Sequence, residues 1–298
     1  MPLDILVPYW GDPSLLRTTV ESVLAQTDPG WTLTVVDDAY PDLTAGEYLS
    51  GIDDPRVRYV RNETNLGLAG NFQRCLDLAT EDLVVFPGCD DLLDPGYAAT
   101  VLAAAERFPQ ATVVQPGVRV VDQDGNPAST LVDTVKQRFL APRSRTARLL
   151  SGESAMVGLM RGNWLYWPSL TFRREAVASV GFREGFPVVL DLALVVDLLT
   201  AGGSVLRVPE VCFAYRRHTG SASSEAAVDG SRFAEERRYF ALAATQAVRL
   251  GWRRAARAAR RHTTSRAHAL AQLPAAVRSG HRAAVGEMVR HAIGPTRP

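Results

Sequence analysis

The feature that most limits this chain is an alternation in its first half. Short apolar runs of strand length, "LDILVPYW", "WTLTVVDDA", "RVRYVRN" and "LVVFPG", are separated by stretches with helical spacing. This order predicts an α/β sheet with mainly parallel strands, because parallel neighbours need a long crossover and that crossover is usually a helix. The first crossover carries clear signals. In "GDPSLLRTTVESVLAQT", Asp12 stands as N-cap and Pro13 takes the first helical position. Leu15, Leu16, Val20, Val23 and Leu24 recur on one face.

Two of the apolar runs end in acidic pairs. Asp37 and Asp38 close the second, and "VVFPGCDDLLDP" sets Asp90 and Asp91 behind the fourth, with Asp94 beyond. Successive parallel strands bring these ends to one rim, where ligands bind in open α/β sheets. Adjacent carboxylates repel each other and call for a positive partner. The bland alternative is a turn in which Asp side chains bond local amides. A response-regulator receiver is rejected, because it needs a lysine late in the fold. The sole lysine, Lys136, is in the wrong setting for that.

The second half is less regular. "DLALVVDLLTAGG" reads as an amphipathic helix, with Leu192, Val195, Leu198 and Leu199 inward and Gly202 near its end. "SVLRVPEVCFAYRRH" is strand-like. From about residue 231, Ala and Arg dominate, and the reading is helical with interruptions near Gly251 and Pro274. No apolar run approaches the ~18 residues of a transmembrane helix. "MPLDILVPYW" opens on a strand-like run with an acid, unlike a signal peptide. Cys75, Cys89 and Cys212 are widely separated, without zinc spacing, which suggests reduced thiols and a cytoplasmic protein.

Charge is divided unevenly. Residues 230–298 hold 14 Arg against 3 Glu, a net of +11, which leaves −10 on the rest of a chain whose total is +1. Arg253, Arg257, Arg260 and Arg261 fall at near-helical spacing. Packing on the acidic body or on a second subunit ranks first for this tail. Peripheral contact with an anionic membrane ranks second. Nucleic acid is not expected as a partner.

In order, "ILVPYWGDPSLLRTTVESVLAQT", "TVVDDAYPD", "NLGLAGNFQRCLDLA", "VVFPGCDDLLDP", "VLDLALVVDLL" and "YRRHTGSAS" resemble the motifs of family 2 inverting glycosyltransferases with the GT-A fold. The resemblance runs from residue 3 to about 224. It implies a nucleotide-sugar-binding half over residues 1–115, an acceptor-binding half over 116–230 and a helical C-terminal region over 231–298. The donor it implies is a UDP- or dTDP-sugar. The acceptor is a glycan, a glycolipid or a small molecule, in cell-surface glycan, glycolipid or natural-product synthesis at the cytoplasmic side.

The resemblance also assigns residues. Pro8 and Tyr9 end the first strand, and Tyr9 is expected over the base. Asp38 accepts the imide N–H of uracil or thymine. Gly67 and Asn71 face the nucleotide, and Asp90 lies nearer the ribose. Asp91 is expected to ligate Mn²⁺ or Mg²⁺, with His218 near the metal or diphosphate and Arg216 or Arg217 clamping phosphate. Asp191 is the general base that takes the acceptor proton. Trp164, Tyr166 and Trp167 are either an acceptor platform or core. The chain departs from the family at Gly88, often an Asp, and at Leu190, where the family has Glu. These departures keep a catalytically silent nucleotide-sugar-binding module open as the alternative. A sugar-phosphate nucleotidyltransferase would need a glycine-rich basic loop, which "LVPYWGDP" is not.

Overall fold

The computed structural model describes residues 1–142, 145–217, 230–278 and 281–296. In chain order the first elements are β1 (Leu3–Tyr9), α1 (Pro13–Leu24), β2 (Trp31–Asp37), α2 (Thr44–Ser50), β3 (Val57–Arg61), α3 (Gly67–Leu78), β4 (Leu83–Val85), β5 (Leu92–Leu93) and α4 (Tyr97–Arg107). Next come β6 (Val113–Val121), α5 (Leu131–Val135), a π-helical turn (Lys136–Leu140), β7 (Arg148–Ser151), α6 (Gly152–Arg161), a 3₁₀ turn (Trp167–Ser169), β8 (Thr171–Arg173), α7 (Arg174–Val180), α8 (Leu190–Thr200) and β9 (Ser204–Arg216). Four helices follow: α9 (Ser231–Arg249), α10 (Arg253–Arg261), α11 (Thr263–Arg278) and α12 (Arg282–Ile293).

The strands make one nine-stranded sheet in the order β3-β2-β1-β4-β8-β6-β9-β5, with β7 paired to β9. The first four positions are parallel. Then β8 inserts antiparallel between β4 and β6, and β6 pairs parallel with β9. This is the mixed, mainly parallel sheet of a GT-A fold. β1 is buried along its length except for half-buried Pro8, as expected of a strand covered on both faces. Its side chains alternate between two cores. Leu3, Ile5 and Val7 pack with α1, α2 and α4, whereas Leu6 packs toward α3, α6 and α8. α1 starts as its sequence implies, with Asp12 Oδ1 accepting from Ser14 N at 2.8 Å.

Two expectations are corrected. α8 is not amphipathic: every residue from Leu192 to Leu199 is buried. The face that water would take is covered by α9, where the Tyr239 hydroxyl donates to Leu192 O at 3.4 Å and Gln246 Nε2 donates to Asp197 at 3.0 Å. A helix apolar all round is one enclosed all round. Pro274 does not interrupt the tail but sits inside α11. It and Leu270, the residue one turn before it, are both exposed. The chain does break at Gly251, as expected, and again at His262.

The tail packs on the body. Tyr239, Phe240, Ala243, Ala247, Ala255 and Ala259 join the core shared by α6 and α8. Arg254 pairs with Glu153 at 3.0 Å. Phe233 with Ala269, Ala276, Ala284, Met288 and Ala292 forms a second, smaller cluster. Arg253, Arg257, Arg260 and Arg261 point to solvent. Among the described residues, no helix is long and apolar enough to cross a membrane.

Candidate active site

The rim is built where β1, β2 and β4 end together. Asp38 N donates to Tyr9 O at 3.0 Å, which ties the ends of β1 and β2. The structure separates the two acids of β2. Asp37 is fully buried and accepts from Tyr40 N, the Tyr59 hydroxyl and Arg61, so its charge is consumed inside the protein. Asp38 receives Leu66 N at 2.8 Å and Asn62 Nδ2 at 2.9 Å, both on Oδ1. Asp38 is 2% exposed, and these bonds fix its carboxylate at the end of β2.

Asn71 and Tyr9 are placed differently from expectation. Asn71 is buried, donating to Val36 O at 3.0 Å and accepting from Asn62 at 3.0 Å. It braces the Asp38 loop from behind. Tyr9 is fully buried, with its hydroxyl donating to Gly11 O at 2.9 Å, and so has no free face for a base. The exposed ring is its neighbour Trp10, at 50% exposure, edge-on to Tyr40 at 5.2 Å. The "YW" pair in the sequence held that signal, but not which ring turns inward. Gly67 opens α3 at φ +71, a left-handed conformation, with its N–H held by Asn65 Oδ1 at 2.8 Å.

Behind β4, the acids divide again. Asp91 is 1% exposed, and both its oxygens are engaged: Oδ2 accepts from Gly88 N at 3.1 Å and Oδ1 from Arg216 N at 3.0 Å. Burial, and then repulsion from Asp90, push its carboxyl well above the usual range. These two amides take one lone pair on each oxygen of Asp91. The amide bonds make Asp91 a clasp between the end of β4 and β9, and Asp90 stands half-buried beside it. Gly88 lets the two acids close in on its backbone. A Cβ there would lie 2.6 Å from Asp90 Oδ1 and 2.7 Å from Asp91 Oδ2. Arg216 is no phosphate clamp. It is buried, and its guanidinium bonds the carbonyls of Asp90, Asp122 and Gln123. His218 lies outside the described residues.

A cavity of about 830 Å³ opens beside the rim, walled by α3, the α5 segment, the 163–168 loop, the start of α8 and the helices α9 and α11. Tyr215 connects the two regions. It lines the cavity, and burial followed by the charges of Asp91 and Asp90 pushes its hydroxyl up to about 12. Asp191 stands half-buried in the cavity wall, in the first turn of α8. Asn163 Nδ2 donates to its Oδ2 at 2.9 Å, and Leu192 N to its Oδ1 at 2.6 Å. Asp197 is committed elsewhere, in an ion pair with Arg183 at 2.7 Å. Leu190, where the family has Glu, is buried in the core and lines the same cavity.

Around Asp191 the cavity wall holds Lys136, to which the sequence assigned no role, beside Tyr166 and Arg217. Lys136 Nζ donates to Leu165 O at 2.7 Å and lies 4.4 Å from the Tyr166 ring centroid. Burial pushes it down to about 8, with Asp191 the first charge opposing that shift. Arg217 makes a two-pronged pair with Asp133 at 2.6 and 2.8 Å, and the Tyr166 hydroxyl donates to the same carboxylate at 3.1 Å. Burial resists ionisation of Asp133, but these bonds hold its carboxyl below the usual range. Trp164 is core, whereas Trp167 and Tyr166 reach the cavity wall.

A sheet of this order, with acids on one rim and a carboxylate at a helix start facing a cavity, has the architecture of the GT-A glycosyltransferases. The crystal structure of S. aureus TarS 1–349 in complex with UDP-GlcNAc superposes with a TM-score of 0.69 at 15% identity, covering 98% of this chain and 82% of that one, a likeness of fold. The chain belongs to glycosyl transferase family 2, whose model matches residues 4–170. It is 31% identical over 138 residues to the putative glycosyltransferase EpsE of Bacillus subtilis (strain 168), covering 45% of this chain and 49% of EpsE. It is 28% identical over 234 residues to the uncharacterized protein MT1568 of Mycobacterium tuberculosis, covering 74% of this chain and 69% of that protein. The chain thus spans about half the length of EpsE.

Proposed function

We propose that this protein is an inverting glycosyltransferase that moves a sugar from a UDP- or dTDP-sugar to a hydroxyl of an acceptor seated in the cavity. The observation that carries this reading is Asp191, an oriented and accessible carboxylate in the cavity wall beside the nucleotide rim. Inversion needs the acceptor hydroxyl to attack from the face opposite the nucleotide. A carboxylate on the acceptor side takes the proton as attack proceeds, a contribution of ~10²–10⁴-fold. Asp38 Oδ2 accepts the imide N–H of the base, and Trp10 offers its exposed ring to the base face. Support for the donor class comes from TarS, whose structures were solved with UDP-GlcNAc and with UDP.

The residues present fit a hard divalent cation. They offer carboxylate oxygen only, at a strand end where Arg216 is spent on carbonyls and Asp91 is burdened by the charge of Asp90. Asp90 would hold Mn²⁺ or Mg²⁺, which neutralises the diphosphate leaving group when bound. Among the described residues no group of three or more His, Cys, Asp or Glu is arranged to hold a metal, so phosphate and water would complete the shell. Calorimetry of UDP and dTDP with Mn²⁺ or a chelator tests this. Binding that is tighter with the metal supports it, and equal affinity removes the metal. Donor turnover with an acceptor panel separates an enzyme from a silent binding module.

A further inference from the structure

The start of α8 has an unusual support. Its N-cap residue, Val189, makes no side-chain cap bond. Helix N-termini leave amide donors without intrahelical partners, and an uncapped buried start is loose. Here the donors just before the helix are met from outside. Glu235, on α9 of the C-terminal region, accepts Val188 N at 2.7 Å and Val189 N at 2.9 Å on a single oxygen, Oε1. Glu235 is only 6% exposed. The same two peptides lead directly into Asp191, and both line the cavity with it. Tyr239, one turn further along α9, reaches Leu192 O on the other side of Asp191.

We infer that Glu235 is a positioning residue for the base: a carboxylate from the C-terminal helices that caps α8 from another element and holds Asp191 toward the acceptor. This rests on the reading of Asp191 as the base. The physical reason is geometric. Asn163 orients only the end of the Asp191 side chain, and the backbone that carries it is held by Glu235. The anion also suits the positive end of the helix. Without Glu235 two amides lose their acceptor, the 188–191 backbone relaxes, and the carboxylate moves from the line of attack. Displacements of about 1 Å cost up to about 100-fold in rate. The tail is then part of the catalytic apparatus, which explains why an arginine-rich extension packs on α8 rather than trailing from it.

The test uses the full chain with three substitutions, Glu235→Ala, Glu235→Gln and Asp191→Asn. Turnover is followed as acceptor-dependent UDP release from UDP-glucose or UDP-N-acetylglucosamine with Mn²⁺ and the acceptor panel, together with hydrogen exchange of the 186–193 segment and the melting temperature. Glu235→Ala should lower kcat by about 10- to 100-fold with little change in donor KM. It should also lose protection across 186–193. Glu235→Gln keeps an oxygen that accepts both amides, so it should recover both protection and most of the rate. A purely structural Glu235 would lower the melting temperature and leave the kcat of the folded enzyme intact. Unchanged protection in Glu235→Ala, or wild-type kcat beside a slow Asp191→Asn, overturns the positioning role alone. A fast Asp191→Asn overturns the base and this inference together.

Discussion

Replacing Asp91 by Ala separates a clasp from a metal ligand. The side chain is 1% exposed and accepts two backbone amides, Gly88 N at 3.1 Å and Arg216 N at 3.0 Å. Ala leaves both donors buried and unmet, at about 1–3 kcal/mol each, so the gross loss is about 2–6 kcal/mol. Part of that is returned, because the variant no longer buries a carboxylate next to Asp90. For a chain of this size about 1 kcal/mol moves the melting point by roughly 2–4 °C. A net loss near the middle of the range lowers it by about 10 °C. Asp90→Ala should behave in the opposite manner: half-buried at the rim, it should cost little stability and abolish the Mn²⁺-dependent part of UDP binding. Differential scanning fluorimetry and calorimetry on both variants decide the matter. An Asp91→Ala protein that melts within about 2 °C of wild type, yet no longer responds to Mn²⁺, would refute the argument and restore Asp91 as the ligand.

Other outcomes follow from the same geometry. Asp191→Asn keeps the size and the Asn163 neighbour but loses the accepting charge, so turnover should fall by ~10²-fold or more while donor binding persists; near wild-type turnover would exclude Asp191 as the base. His291 is fully buried against Ser265 and Phe233, and burial pushes it down to about 4 from an ordinary 6.5, with Glu236 opposing. The unfolded chain therefore takes up the proton first on acidification. Stability should fall by about 1.4 kcal/mol per unit as pH drops from 6.5 toward 4. Melting curves across that window should show a shallower slope in His291→Phe, and an identical slope would remove His291 as the cause.

What the sequence determined by itself was the part governed by local periodicity and chain order. The strand-helix alternation specified a mainly parallel sheet, and parallel order obliged the acids after β2 and β4 to share a rim. Asp12 and Pro13 marked the start of α1 through short-range chemistry alone. The position of Asp191 at a helix start was legible for the same reason. Tertiary structure decided what each member of each pair bonds. Asp37 and Asp38 are equivalent in sequence, yet only Asp37 meets Arg61 and Tyr59 from β3. Asp90 and Asp91 are equivalent too, until β9 arrives with the amide of Arg216 and claims Asp91. Tyr9 and Trp10 differ in exposure because Tyr9 ends β1 inside the core, whereas Trp10 lies beyond the strand. The apolar face of α8 became a full cylinder only when α9 covered it. Glu235 lies 44 residues from Asp191 in the chain, and no local pattern announces that it holds the helix on which that carboxylate stands. A hydrogen bond between distant elements depends on where the whole sheet delivers them, and that is settled by packing.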